Sequence, residues 1–106
     1  MTNTIRSLAV LAASVCLAGS MGFAQSSGAA TYKAKCQMCH GAKGEADTPA
    51  AKMLKAMPLS SPDMKKLTEA EMIKATVDGK GKMPSFKGKL TDAQVKDAVV
   101  YFRSLK

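Results

Sequence analysis

The sequence predicts one small all-α domain, and three observations support this class. A chain of 106 residues has the length of a single domain. The stretch 91–104 places apolar residues three and four positions apart, which is the spacing of one face of a helix. No segment alternates polar and apolar residues over the roughly four to eight positions of a half-buried strand.

The first 24 residues have the composition of a secretory signal peptide. Arg6 provides a positive charge near the N-terminus, and a run of apolar and small residues follows from Leu8 to Ala18. Gly22-Phe23-Ala24 then offers small residues at the alternate positions that a signal peptidase requires. We therefore expect residues 1–24 to be removed after Ala24, with export from the cytoplasm and a folded domain formed by residues 25–106.

The exported chain is short for a stable apolar core. Removing 24 residues from 106 leaves 82, and the loss of Arg6 lowers the formal net charge from +8 to +7. A domain of this size usually needs a disulfide, a metal or a cofactor at its centre. Cys36 and Cys39 lie too close in the chain for a disulfide between them to close a stabilising loop. The sequence therefore predicts that a bound group completes the core.

A helix followed by a loop opens the domain. Ala29–Cys39 has helical composition and places Tyr32, Cys36 and its last residue on one side. Residues 41–49 contain two glycines, an aspartate and a proline, which are typical of a loop.

Short elements are predicted in the middle of the domain. A short helix is expected at Ala50–Ala56, since Pro58 prevents its continuation. A turn or the start of another short helix follows at Ser60–Asp63.

Two capping boxes mark the remaining helices. Thr68-Glu-Ala-Glu71 opens a helix that runs to about Asp78, where Gly79 ends it. Residues 79–89 are rich in lysine and glycine and form a loop. Thr91-Asp-Ala-Gln94 opens the final helix. Its buried stripe is expected to consist of Val95, Ala98, Val99 and Phe102.

Residues 36–40 carry the recognisable chemistry of the chain. Cys36-Gln-Met-Cys39-His40 has the C-x-x-C-H spacing of covalent c-type haem attachment. On a helix, residues three apart share a face, so both sulfurs can add to the two vinyl groups of one haem. His40 lies four residues after Cys36, which turns its imidazole towards the iron, and it is the only histidine in the chain. The motif therefore predicts one covalently bound haem c, with its iron, per chain.

Three other uses of these residues fit the sequence less well. A thioredoxin-like dithiol would need a βαβ context that the sequence lacks. A structural zinc site would need four ligands, and two cysteines with one histidine leave it one short. Cu(I) is chemically closer, because thiolates and thioethers suit it and six of the eight methionines lie in residues 25–106. A Cu(I)-binding protein that uses these Cys, Met and His residues therefore stays an alternative.

A thioether sulfur is a suitable second axial ligand opposite His40. Met83 is favoured because glycines free the chain before it and Pro84 stiffens the chain after it. Met57 is a rival with the same Met-Pro pair, but it ends a helical, lysine-bearing stretch only 17 residues after His40. Three further methionines have helical or turn spacing and are expected to fill the core against the haem ring: Met53, Met64 and Met72.

These features together resemble the class I c-type cytochromes of the small soluble bacterial monohaem kind, from Gly28 to the C-terminus. Gly28 and Tyr32 resemble the glycine and the aromatic residue by which the first helix of the family crosses its last helix. Tyr101 resembles the aromatic residue of that last helix. The segment Gly79–Phe86 resembles the distal loop, in which the methionine before the proline binds the iron. The resemblance implies the cytochrome c fold, with crossing N- and C-terminal helices and loops wrapped around one covalently bound haem.

The resemblance also implies an acceptor for the second nitrogen of the proximal imidazole. In the family, a proline carbonyl accepts this N–H and fixes the orientation of the ring. Pro49, nine residues after His40, is the candidate in this chain, with shaping of the loop as its alternative role.

The function that follows is that of a periplasmic electron carrier rather than an enzyme. His40 and Met83 would fill both axial positions while the iron alternates between Fe(III) and Fe(II), so no substrate would bind the metal. The alternative is a haem-based peroxidase or gas sensor, which would need an open sixth position on the iron.

Redox proteins with acidic docking surfaces are the expected partners, because lysines cluster near the predicted iron ligands. These lysines are Lys80, Lys82, Lys87 and Lys89 around Met83, and Lys33, Lys35 and Lys43 around residues 36–40. We expect a monomer that binds no nucleic acid and has no integral membrane segment after removal of the signal peptide.

Overall fold

The computed structural model describes residues 23–105, and these residues form six helices without a strand. The helices are α1 (Phe23–Lys35), α2 (Gln37–His40), α3 (Pro49–Leu54), α4 (Pro62–Lys66), α5 (Glu69–Asp78) and α6 (Asp92–Ser104). Between α5 and α6 the described chain forms two isolated bridges, which join Lys80 to Met83 and Lys87 to Leu90. The predicted all-α class is confirmed.

The predicted signal peptide lies almost wholly outside the described residues, which begin with α1 at Phe23. Cleavage after Ala24 therefore stays a prediction. Within residues 23–105, no helix has both the length and the apolar character needed to cross a membrane.

The first and last helices cross at a residue without a side chain. Gly28 of α1 is buried against α6, and a Cβ atom there would collide with the backbone carbonyl oxygen of Asp97. The same Cβ would lie 2.9 Å from the carbonyl carbon of Asp97, so the two helix backbones are in direct contact. One turn later in α1, Tyr32 contacts Tyr101 of α6 with the ring centroids 5.3 Å apart. The helix crossing implied by the resemblance is thus present.

The core surrounds this crossing. Its buried cluster consists of Tyr32, Met64, Met72, Val95, Val99 and Phe102. Ala98 is also buried, so all four residues predicted for the stripe of α6 face inward. Met64 and Met72 lie in the core as predicted. Met53, expected to pack against the haem ring, is 76% exposed among the protein atoms, so its contact with the ring stays a prediction.

Local capping sets the start of α5 and of α6. The hydroxyl of Thr68 accepts a hydrogen bond from the backbone N–H of Glu71 at 3.1 Å, and Thr91 does the same for Gln94 at 3.1 Å. The side chains of Glu71 and Gln94 bond back to the cap N–H groups, which completes both predicted capping boxes. Gly79 ends α5 as predicted, with a φ of 80°.

The predicted helix Ala29–Cys39 is divided in the structure. α1 ends at Lys35, and Cys36 lies between α1 and α2 as the N-cap of α2. The short helix predicted at Ala50–Ala56 begins one residue earlier, because Pro49 suits the first position of a helix. It ends at Leu54, since Lys55 adopts the left-handed conformation with a φ of 53°.

We expect Gly28→Ala to destabilise the folded protein, although alanine is the better helix former by about 1 kcal/mol. The added methyl group meets a backbone carbonyl, which cannot rotate away, so the helices must separate at a cost of about 1–3 kcal/mol. Urea denaturation of the holo-protein measures the change. Ala30→Ser, on the exposed side of α1, is the control and should change stability by less than about 0.5 kcal/mol. A Gly28→Ala variant as stable as the control would contradict the direct backbone contact.

Candidate functional site

The residues of the C-x-x-C-H motif form a single turn. The backbone carbonyl of Cys36 accepts hydrogen bonds from the N–H groups of Cys39 at 3.2 Å and of His40 at 3.0 Å. Neither cysteine forms a disulfide, and both are half-buried. The turn therefore presents two sulfurs and one imidazole within five consecutive residues, as the sequence predicts.

The environment of Cys36 is apolar. Its side chain packs against the core cluster. Burial, together with the neighbouring Cys39, raises the pKa of the Cys36 thiol to about 11. The sulfur therefore lies in apolar surroundings, which also suit an uncharged thioether.

His40 is held with one ring nitrogen inside the protein. Nδ1 is buried and has no hydrogen-bond partner within the described part of the chain. Burial lowers the pKa of the imidazole, so the ring stays in the neutral form that binds metals. Pro49, the candidate acceptor for this N–H, instead occupies the first turn of α3 and shapes the loop.

The turn is tied to α3 through Thr48. Its hydroxyl donates a hydrogen bond to the carbonyl of Met38 at 2.6 Å and accepts one from the N–H of Ala51 at 3.0 Å. One side chain thus caps α3 and fastens it to the middle of the motif.

An aromatic side chain from the other end of the domain contacts His40. The ring centroids of His40 and Phe102 are 5.3 Å apart, and the rings are tilted by 60°. The sequence places Phe102 correctly in the buried stripe of α6 but contains no signal for this contact, because the two residues are distant in the chain.

The residue after His40 is fixed by Tyr32 of α1. The buried hydroxyl of Tyr32 donates a hydrogen bond to the carbonyl of Gly41 at 2.5 Å. Gly41 has a φ of 83°, and a Cβ there would collide with the carboxylate of Asp47. Only glycine therefore suits this position. Burial raises the pKa of the Tyr32 hydroxyl, so it remains protonated and able to donate in neutral and mildly alkaline solution.

Met83 lies in a loop that is fastened to α5. The backbones of Lys80 and Met83 exchange two hydrogen bonds, at 3.1 and 3.0 Å. Ser85 bonds to the carbonyl of Val77 at 2.6 Å, which ties the loop to the end of the helix. A Cβ on Gly79 would lie 2.8 Å from the backbone nitrogen of Ser85, so this glycine permits the tight return of the chain.

The structure brings Cys36, Cys39 and His40 together but places Met83 on a separate element. α2 packs on α1 and α3, whereas α5, which holds the Met83 loop, packs on α6. Met83 is half-buried. Its role as an iron ligand stays a prediction.

Comparison with known proteins decides the family. A family model described as "Cytochrome C oxidase, cbb3-type, subunit III" matches residues 23–102. A cytochrome c6 from Leptolyngbya boryana is 38% identical over 74 residues, which are 70% of this chain and 84% of that protein. This chain belongs to the class I c-type cytochromes. It is an electron-carrier haem protein rather than an enzyme, and its cofactor is covalently bound haem c with iron.

Solved structures agree with this assignment. The KustC0563 c-type cytochrome superimposes with a TM-score of 0.67 at 30% identity, over 74% of this chain and 96% of that one. A point mutant of the same protein gives a TM-score of 0.67 at 28% identity, over 76% and 99% of the two chains. The cytochrome c fold predicted from the sequence is confirmed.

The residues of the motif turn fit the cofactor of the family. The side chains of Cys36, Cys39 and His40 project from one turn, and neither cysteine is used in a disulfide. The Nδ1 atom of His40 is buried inside the protein. Family membership thus decides the cofactor in favour of haem over the dithiol, zinc and Cu(I) alternatives.

We expect Tyr32→Phe to lower the free energy of unfolding of the cytochrome by about 1 kcal/mol. The change removes the hydroxyl that satisfies the Gly41 carbonyl while it keeps the buried ring. Tyr101→Phe is a matched control, because the described residues give its hydroxyl no hydrogen-bond partner and its contact with Tyr32 survives. Denaturant titration of both variants measures the difference. Equal stability of the two variants would show that the Tyr32 hydrogen bond contributes nothing.

Proposed function

We propose that this cytochrome is a periplasmic one-electron carrier whose haem is held by Cys36, Cys39, His40 and Met83. The observation that carries the proposal is the motif turn. The side chains of both cysteines and the neutral imidazole of His40 project from this one turn of a c-type cytochrome fold. The bound haem supplies an Fe(III)/Fe(II) couple. Export through the signal peptide at residues 1–24 would deliver the chain to the compartment where haem is attached.

Each residue of the turn has a separate task in this proposal. Cys36 and Cys39 hold the haem covalently, and the apolar surroundings of Cys36 favour the uncharged thioether. His40 keeps Nδ1 buried, which leaves Nε2 as the nitrogen for the iron. Because burial keeps the ring neutral, the ligand does not have to lose a proton in order to bind.

Met83 is the better of the two candidates for the second axial ligand. The Met57-Pro58 segment is fastened beside the motif, since the N–H of Leu59 donates to the carbonyl of Gly44 at 2.7 Å. This bond ties the chain just after Met57 to the loop that follows His40, which favours an assignment of Met57 to the His40 side. Met83 lies in the loop between α5 and α6 and is half-buried, whereas Met57 is 41% exposed. A thioether ligand on the second side favours the reduced iron and raises the reduction potential.

An acidic redox protein is the proposed partner. Lys33 and Met38 line the same open groove beside α2, together with the acidic Asp47. Met38 is 74% exposed, so an apolar contact point stands next to a lysine at the motif. The exposed Lys80 and Lys82 add positive charge at the Met83 loop. Such charges raise the rate of encounter with an acidic surface more than they raise the final affinity.

We expect the double variant Cys36→Ala with Cys39→Ala to lose covalent haem and to be recovered as an unfolded or degraded chain. The physical reason is that the core of so small a domain is incomplete without its bound group. A haem stain on a denaturing gel and circular dichroism measure the two effects. Gln37→Ala, within the same turn, is the control and should retain both haem and fold. A cooperative, well-folded double variant without haem would show that the core does not need the cofactor.

We expect Met83→Ala to lower the reduction potential and to open the iron to cyanide and carbon monoxide. Met57→Ala is the matched control and should change stability only, because Met57 is not in the proposed ligand set. Redox titration and absorption spectra of the ferric and ferrous forms measure both variants. If Met57→Ala loses the methionine-ligated spectrum and Met83→Ala keeps it, the ligand assignment is reversed.

We expect electron transfer to an acidic redox protein to slow steeply with added salt. The screening length falls from about 30 Å at 0.01 M to about 10 Å at 0.1 M ionic strength, which removes the steering by lysines. Lys80→Glu with Lys82→Glu should flatten this dependence, as measured by stopped-flow kinetics. Lys65→Glu with Lys66→Glu on α4 changes the net charge equally and should leave the slope closer to that of the unaltered protein. Equal slopes for the two double variants would mean that only total charge matters.

A further inference from the structure

The loop between α5 and α6 consists of two parts that are fastened differently. Its second part bonds to the last turns of α5. The hydroxyl of Ser85 donates to the carbonyl of Val77 at 2.6 Å. The N–H groups of Phe86 and Lys87 donate to the carbonyls of Thr76 and Val77 at 3.1 and 3.2 Å. Since α5 in turn packs on α6, this part of the loop is continuous with the folded core.

The first part of the loop, which contains Met83, is a tight hairpin closed on itself. The N–H of Lys80 donates to the carbonyl of Met83 at 3.1 Å, and the N–H of Met83 donates to the carbonyl of Lys80 at 3.0 Å. A reciprocal pair of bonds across two central residues is the arrangement of a two-residue β-hairpin. The backbone of Met83 is therefore held by this turn, while the bonds to α5 begin only after Pro84.

Gly81 gives the hairpin its shape. It has a φ of 57°, whereas Lys82, the other central residue, does not have a positive φ. A positive φ at the first central residue alone is the pattern of a type II′ turn, in which glycine is the usual residue at that position. A residue with a Cβ is strained in this region, and asparagine tolerates it better than alanine. The closed hairpin thus depends on the glycine.

We propose that Gly81 is a positioning residue, which holds Met83 in place for the iron by keeping this hairpin closed. The inference rests on the proposed assignment of Met83 as the second axial ligand. Opening of the hairpin breaks two hydrogen bonds and frees the backbone of Met83, while the part of the loop after Pro84 stays bonded to α5. Release of the methionine is therefore a local opening, far smaller than unfolding of the domain, and Gly81 sets how often it happens.

Gly88 in the same loop provides a matched control. Like Gly81, it stands between two lysines, and its φ is 76°. Alanine at either position introduces the same side chain, the same charge environment and the same kind of backbone strain. Only Gly81 belongs to the hairpin of Met83, because Gly88 follows the residues that bond to α5. The two variants therefore separate an effect on the ligand hairpin from a general weakening of the loop.

The experiment compares Gly81→Ala with Gly88→Ala in the holo-protein. The first measurement is the second-order rate constant for cyanide binding to the oxidised protein, which is proportional to the population of the open form. We expect it to rise roughly five- to thirty-fold in Gly81→Ala, from the backbone strain of a Cβ in the left-handed region, and to stay unchanged in Gly88→Ala. Urea denaturation should show similar losses of stability in both.

Amide hydrogen exchange of the same proteins provides a second measurement that does not involve the iron. In Gly81→Ala, the N–H groups of Lys80 and Met83 should exchange faster by a similar factor, while those of Phe86 and Lys87 keep their protection. Gly81→Asn should give smaller increases in both measurements, and it takes the place of Gly81→Ala if that variant does not mature.

Two results would overturn the proposal. One is a Gly81 variant whose cyanide binding and Met83 exchange equal those of the Gly88 variant. The other is faster exchange at Met83 without faster cyanide binding, since the hairpin would then open without releasing a ligand.

Met83→Ala distinguishes these results from a failure of the proposed function. If Met83→Ala binds cyanide no faster than the unaltered protein, Met83 is not the ligand, and the assignment fails together with the inference drawn from it. If Met83→Ala binds cyanide rapidly and Gly81→Ala does not, the assignment stands and only the role of Gly81 is refuted.

Discussion

At the crossing of α1 and α6, the absence of a side chain on Gly28 allows two helix backbones to touch. The contact joins the two ends of the domain, and the rings of Tyr32, Tyr101 and Phe102 pack immediately beside it. Because so short a chain cannot bury a large apolar surface, a few close contacts contribute much of its order. A wider crossing would separate these rings, and with them the supports of the motif turn.

Two side chains connect the crossing of α1 and α6 to the motif turn. Tyr32, from the first helix, bonds to the carbonyl of Gly41, the residue that follows His40. Phe102, from the last helix, packs against the His40 imidazole. The turn that carries the cysteines is therefore fixed from both ends of the chain, although it is itself only four residues of helix preceded by a cap. These two contacts support the turn that carries the proposed haem ligands.

Different interactions stabilise the His40 side and the Met83 side of the site. On the His40 side, the imidazole packs against Phe102, and burial lowers its pKa, which favours the neutral form. The Met83 loop is solvent-facing, and its shape comes from backbone hydrogen bonds to the end of α5 together with a glycine in the left-handed region. In the proposed carrier, the buried side would limit reorganisation of solvent, while the lysine-bearing loop would meet the partner.

Local chemistry by itself determined the motif turn, both capping boxes and the inward stripe of α6, because caps and helical spacing act within a few residues. Tertiary contacts decided the rest. The helix predicted through Cys36 is interrupted there, and the contact of His40 with Phe102 has no counterpart in the sequence pattern. Such features depend on which residues the folded chain brings together. The distance between two residues in the fold is set by packing and not by their separation in the sequence.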